Sequence, residues 1–492
     1  MTLKTAAFHL EQAKQHQGMR DSLKSIVVAV TLGVTPFLGS CAGFGTRNAP
    51  INTAMTDSAS AATPAIETPS TAPVQDTADT AIGLSFSGGG TRASAFAFGV
   101  LQELGKTEVV SKGKRVPLID EVSLVSGVSG GSVTAAYFAL RGRETLTEFR
   151  KRFLIQDVEA SLSTSINVQN LVLLSKGGVN DRSGLPTWLD KNLFRGATYA
   201  DVLKPGKPQL WINASDIFNR TTFIYNTVNF GALCSDIRRY PLSEAVAASA
   251  AVPLVFAPIV IENYADKCQF SAPDWVHAAG RPGAPAILRA SAAAIQRYRE
   301  KTDIQYVKLL DGGMTDNLGL SGFLLDLAAA TKPYEPLTPR QVVNLKRFLF
   351  VVVDAGRPPG GDIAKGVDSP GITDIIQAVS DTAVDANVRA AYDAFVTEMD
   401  KWRERLIAYR CSLTPQEVAD MRGSTDGWDC HELTMNVSKV SFDEMREPSV
   451  RSRLEHIPTR FKLPKDDVDL LISSAGSLLR QNQSYKEFMA TF

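Results

Sequence analysis

Twice in the chain an apolar pattern changes period across a run of glycines. Ile82, Leu84 and Phe86 alternate as strand residues do, and Phe96, Val100 and Leu104 then recur at i, i+4 and i+8, as on a helix face. Between them lies Ser87-Gly88-Gly89-Gly90-Thr91-Arg92. The apolar run Val122-Ser123-Leu124-Val125 leads into Gly127-Val128-Ser129-Gly130-Gly131, and Val133, Tyr137 and Leu140 follow at helical spacing. Further on, Tyr306-Val307-Lys308-Leu309-Leu310 reads as a strand that turns at Asp311-Gly312-Gly313, and Val351-Val352-Val353-Asp354 as a buried parallel strand. From about Gly371 to the end the apolar positions, among them Ile375, Val379, Val384 and Val388, return to helical spacing.

Ahead of these elements the pattern is different. Lys4, Lys14, Arg20 and Lys24 precede an apolar run from Ile26 to Leu38, whose length suits the core of a secretory signal and is short for a membrane span. It ends Leu38-Gly39-Ser40-Cys41, which resembles the lipobox of bacterial lipoproteins. The resemblance implies cleavage after residue 40 and a diacylated Cys41 as the mature N-terminus. Two acyl chains give stable membrane attachment. Residues 42–80 are rich in Ala, Thr, Ser and Pro and read as a disordered tether, typically spanning on the order of 35 Å.

Composition narrows the function. A chain of 492 residues with formal charge zero and no basic stripe interleaved with aromatics carries no nucleic-acid footprint. Attachment to a membrane must therefore come from the lipid, not from a polybasic face. Besides Cys41 there are four cysteines, Cys234, Cys268, Cys411 and Cys430. In an oxidising compartment an even number suggests disulfides, of which Cys234–Cys268 with Cys411–Cys430 is the local choice among three connectivities. No metal-ligand spacing is present, and Cys430-His431 alone is a weak signal.

The glycine runs carry the chemistry. A strand, a glycine loop and a helix together aim several N–H groups at one point, a ready anion site. After Gly90 there is no Lys-Ser or Lys-Thr for a P-loop, and Ala93 breaks the dinucleotide fingerprint, so an oxyanion hole fits better. Gly127-Val128-Ser129-Gly130-Gly131 has the strand–turn–helix context of a nucleophile elbow, which presents Ser129 at its tip.

In this order, the glycine loop, the serine elbow and Asp311-Gly312-Gly313 resemble the patatin-like phospholipase family. Two further blocks agree: Asn213-Ala214-Ser215-Asp216 before Thr222-Phe223-Ile224-Tyr225, and the Ala-Ser-rich run from Ala247 to Pro258. The family usually has Asp or Gly where Ser87 stands, and Gly where Ala93 stands. In those positions the chain is closer to the eukaryotic cytosolic phospholipase catalytic domain. The resemblance implies a three-layer α/β/α sandwich around a mainly parallel sheet over residues 81–370, with residues 371–492 a mostly helical extension. It also implies hydrolysis of phospholipid or lysophospholipid acyl esters by a Ser129–Asp311 dyad without a cofactor. Gly88, Gly89 and Gly90 would supply oxyanion donors. Arg92 would either contact a lipid phosphate or form a structural salt bridge.

Two rivals remain open at this level. A Ser-His-Asp scheme would use Asp354 with His431 or His456, His277 being the remaining histidine of the mature chain. A non-catalytic envelope scaffold would keep the fold without turnover. The expected location is the periplasmic face of the bacterial envelope, and Ala42 after the cysteine favours the outer membrane.

Overall fold

The structure, a computed structural model, describes residues 48–55, 75–111, 113–163, 177–358 and 371–492, with positions 364 and 367. The signal segment, Cys41 and most of the expected tether lie outside the described residues. Residues Arg47–Phe492 form one compact unit.

Eight strands make the central sheet: β1 (Thr80–Phe86), β2 (Val122–Val128), β3 (Gln209–Asp216), β4 (Thr221–Ile224), β5 (Ile259–Glu262), β6 (Tyr306–Asp311), β7 (Arg347–Asp354) and β8 (Thr434–Ser441). Their order is β8-β7-β1-β2-β3-β6-β5, with β4 on β3. The ladders from β8 to β3 are parallel, while β4, β6 and β5 join antiparallel. The main helices are α1 (Gly90–Lys106), α2 (Gly130–Arg141), α3 (Leu242–Ser249), α4 (Ala286–Arg299), α5 (Ser321–Ala329), α6 (Ile372–Ser412) and α7 (Lys465–Gln481).

Alternation along the strands sorts the core into two layers. Ile82, Leu84 and Phe86 of β1, with Leu349, Val351 and Val353 of β7, face a core that includes Phe96 and Val100 of α1 and Leu471 and Leu478 of α7. The intervening Phe348, Phe350 and Val352 face Phe323 of α5 and Phe395, Met399 and Trp402 of α6. Helices thus cover both faces of a mostly parallel sheet, the three-layer α/β/α arrangement that the sequence implied. A strand buried on both faces needs apolar residues at every position, which is why Val351-Val352-Val353 reads as an unbroken run.

The C-terminal region is helical with one addition. β8 extends the sheet, parallel to β7 in register from Arg347↔Thr434 to Asp354↔Ser441. Its helix α7 packs tightly on α1, where a Cβ at Gly99 would lie 2.3 Å from the Ile472 carbonyl. The helical reading of Ile375 and Val379 holds, but both side chains are exposed at the start of α6, whose buried stripe begins further along.

Part of the expected tether is built into the fold. Asn52 donates to the Glu262 carbonyl at 2.9 Å and accepts from the Glu262 amide at 2.8 Å, pairing with the edge strand β5 as another strand would. Asn48 donates to the carbonyls of Ala257 and Pro258 at 3.0 and 2.9 Å and accepts from the Arg182 amide at 2.8 Å. Two asparagine side chains thus tie residues 48–55 to the body of the fold. The disulfides are Cys234–Cys268 and Cys411–Cys430.

Candidate active site

Register brings Ser129 and Asp311 together. Val128, the last residue of β2, pairs with Asn213 of β3, and the next residue of β3, Ala214, pairs with Asp311 at the end of β6. The Ser129 turn and the carboxyl therefore emerge at the same level from strands on either side of β3. Ser129 has φ +50° and ψ −122°, a conformation unusual for a residue with a side chain. This strain is the mark of the elbow. Gly131 lets α2 start against the β1 end, since a Cβ there would lie 2.4 Å from the Phe86 carbonyl.

Both side chains are buried. The Gly313 amide donates to the Asp311 Oδ1 at 2.8 Å, and the nearby Ser129 side chain favours the ionised carboxyl. Burial raises the Asp311 pKa to about 6, against the lowering effect of the Gly313 amide and the Ser129 side chain. At neutral pH the group is ionised, yet far more basic than a wet carboxylate. Asp316, also buried, plays a different part: it accepts from the amides of Gly319, Leu320 and Ser321 and so holds the start of α5.

The glycine loop runs beside the serine. A Cβ at Gly88 would lie 3.4 Å from that of Ser129. The Ser87 hydroxyl and amide tie the loop to β7, through the Ala355 amide at 2.9 Å and the Val353 carbonyl at 3.0 Å. The three expected donors are not equivalent. The Gly88 N–H is committed to Asn317, at 3.2 Å from both its carbonyl and its Oδ1. Among the described residues the N–H groups of Gly89 and Gly90 meet no protein acceptor, so they, unlike that of Gly88, remain available as donors. The N-termini of α1 and α2 converge at this point, which adds their dipoles.

Arg92 is held by backbone carbonyls rather than by the expected salt bridge. It is only 3 % exposed, and donates to the carbonyls of Ala355 at 3.1 Å and Ile457 at 2.9 Å. Burial, helped by Arg357, pulls its pKa down to about 9, with Asp354 and Asp381 opposing. Its Nη2 lies against the glycine loop, where a Cβ at Gly89 would be 3.1 Å away, and it is in no ion pair among the described residues. Instead it clamps the start of α1 to two distant loops. Arg92→Lys keeps the charge but loses the fork. It is expected to lower thermal stability and to reduce kcat/KM equally on phospholipid and on a p-nitrophenyl ester, measured side by side.

The histidines stand elsewhere. His431 is exposed against Cys411 and Cys430, His456 is exposed and bonded to the Ser452 carbonyl at 2.6 Å, and His277 is exposed on a short helix. The recorded partners of Ser129 include none of them. Asp354, the rival base, pairs with Lys439 at 3.4 Å and caps the Gly356 amide at 2.9 Å. Cys411, Cys430 and His431 cluster as a metal site would, but both sulfurs are held in the disulfide.

Sequence reasoning did not foresee Asn317, Asn213, Ser249 or the loop at Arg460. Asn213 donates to the Ser126 hydroxyl at 2.8 Å and to the Gly127 carbonyl at 3.1 Å, and the Arg460 carbonyl accepts from the Thr91 amide at 2.8 Å. Only Ser249 and Asn213 sat in blocks that had drawn notice.

A strained serine on a strand–helix elbow, a buried carboxyl beside it and a glycine loop alongside form one cluster at the strand ends of an α/β sheet. Over residues 84–324 the chain matches the family model described as Patatin-like phospholipase. Among solved structures it is similar to human GIVD cytosolic phospholipase A2, at 12% identity and a TM-score of 0.36, over 85% of this chain and 59% of that one. A second structure of that enzyme, in complex with methyl gamma-linolenyl fluorophosphonate and terbium chloride, gives 12% identity and a TM-score of 0.33 over 84% and 60%. The chain thus spans about 60% of the length of these relatives. No curated protein matches it in sequence.

Proposed function

We propose that the protein hydrolyses the acyl ester of a phospholipid or lysophospholipid through an acyl-enzyme on Ser129, with Asp311 as the base. The observation that carries this reading is the buried Asp311 carboxyl, which register sets at the same level as the serine of a strained elbow. Asp311 accepts the Ser129 proton as Oγ bonds to the ester carbonyl carbon. The carbonyl oxygen becomes an oxyanion facing the amides of Gly89 and Gly90, an interaction worth typically ~3–4 kcal/mol per donor. Collapse breaks the ester C–O bond, and the leaving alcohol takes the proton from Asp311. Water, deprotonated by the same carboxylate, then attacks the acyl-enzyme and releases the fatty acid and free Ser129.

This scheme fixes the pH dependence. Only ionised Asp311 is a base, so kcat/KM should rise with pH through an acid limb centred near the raised value of about 6 and then level off. A rate profile on a soluble ester from pH 4 to 9 tests it. A plateau reaching down to pH 4.5 would remove Asp311 from the base role.

The membrane is the proposed source of substrate, and Cys41 the proposed anchor, at the periplasmic face of the envelope. Two disulfides support an oxidising compartment. Among the described residues no helix is long and apolar enough to cross a membrane. A chain starting at Arg47 keeps the Asn48 and Asn52 contacts, which a chain starting near Thr80 would lose. It should match the anchored protein on a soluble ester but hydrolyse lipid in intact membranes several-fold more slowly, since the anchor raises effective concentration. Equal rates on membrane lipid would assign the tether another purpose.

A further inference from the structure

We propose that Ser249 is the positioning residue of this site, holding Ser129 through its hydroxyl and the Asp311 turn through its carbonyl. The proposal rests on the dyad reading above and adds a third member that acts through the other two. Ser249 ends α3 and is fully buried. Its Oγ lies 2.6 Å from the Asn213 carbonyl and 2.8 Å from the Ser129 amide. A carbonyl only accepts and an amide only donates. The single hydroxyl proton must therefore point to Asn213, leaving a lone pair for the Ser129 N–H. Both bonds have one possible direction, which makes Ser249 a fixed spacer between β3 and the elbow.

The other side of the residue faces the base. The Gly312 amide donates to the Ser249 carbonyl at 3.0 Å, and the Asp311 amide to the Ala251 carbonyl at 2.9 Å. The Gly312 Cα itself packs on the same Asn213 carbonyl, where a Cβ would be 2.1 Å away. Three chain segments thus meet around one oxygen, and one hydroxyl sets their spacing. Ser129 at φ +50° keeps this conformation only because its surroundings over-determine it. Ser249→Ala would leave a buried donor and a buried acceptor unpaired at the one residue where the turn is strained.

The test uses the full chain, a fluorophosphonate probe and a p-nitrophenyl ester. For Ser249→Ala, the labelling rate at Ser129 and kcat should fall about 10- to 100-fold, because misplacement by about 1 Å costs that much. KM should stay within about twofold, since binding is untouched. The acid limb should move to higher pH, because the Ser129 side chain that lowers the Asp311 pKa is displaced. Ser249→Thr keeps the hydroxyl and should restore both rate and limb. Ser249→Cys, similar in volume but a weak acceptor, should show the same pattern at smaller amplitude and serves if alanine reduces the yield of folded protein. A Ser249→Ala protein that labels as fast as wild type overturns the proposal, as does a slowed one with an unmoved acid limb. If wild type itself fails to label at Ser129, the dyad reading falls and takes this proposal with it.

Discussion

Ser129→Ala is expected to lower esterase activity at least about 10³-fold while the fold persists, since only a hydroxyl is lost. Residual activity above about one hundredth would require another nucleophile. Asp311→Asn should lose nearly as much, and the double variant little more, because dyad members act as a unit. The two single variants differ in stability, which separates loss of chemistry from loss of structure. The folded-state pKa of Asp311 lies near 6, above the ordinary 3.8. Between those values the folded protein holds more protons than the unfolded chain, so stability declines as pH rises through that window. Above pH 6 the ionised group costs roughly 3 kcal/mol. Asparagine removes that cost and still offers an acceptor to the Gly313 amide. Asp311→Asn should therefore melt at or above the wild-type temperature at pH 7.5 while being inactive. A variant that is both inactive and strongly destabilised would assign Asp311 a structural part.

Gly130→Ala is the second large effect. The Cβ would lie 1.9 Å from the Gly90 carbonyl, backbone against backbone, with no side chain able to give way. The clash drives apart the starts of α1 and α2, and with them the glycine loop and the serine. A stability loss of at least about 3 kcal/mol is expected, together with near-complete loss of activity. Gly280→Ala is the control. Its Cβ would meet nothing nearer than the His277 carbonyl at 3.6 Å, so its stability should stay within about 0.5 kcal/mol of wild type. Circular dichroism melts and ester hydrolysis on both variants check the contrast.

The elements that make the site were legible because each is a local pattern. Alternation marked β1, the unbroken Val351-Val352-Val353 marked β7, and glycines at 127, 130 and 131 marked a turn with room for close backbones. What escaped the sequence depends on partners far along the chain. Arg92 looked like a cation for phosphate because its carbonyl partners, Ala355 and Ile457, follow at long range. β8, reading Thr-Met-Asn-Val-Ser-Lys-Val-Ser, is too polar to stand out, and it becomes a strand by pairing with β7. Residues 48–55 are held by the Asn48 and Asn52 side chains imitating backbone and by backbone bonds to Cys234 and Asp236, partners that lie far along the chain. The donor roles of the glycine loop could not be divided until Asn317 was seen to occupy the Gly88 amide.

The central claim is that Ser129, made reactive by Asp311, is the nucleophile. Labelling the full-length protein with a fluorophosphonate, followed by peptide mapping, tests it most directly. The account predicts a single adduct on Ser129, formed faster as pH rises through about 6 and lost in Ser129→Ala. An adduct on another residue, or labelling of Ser129 that is unchanged in Asp311→Asn, would contradict it.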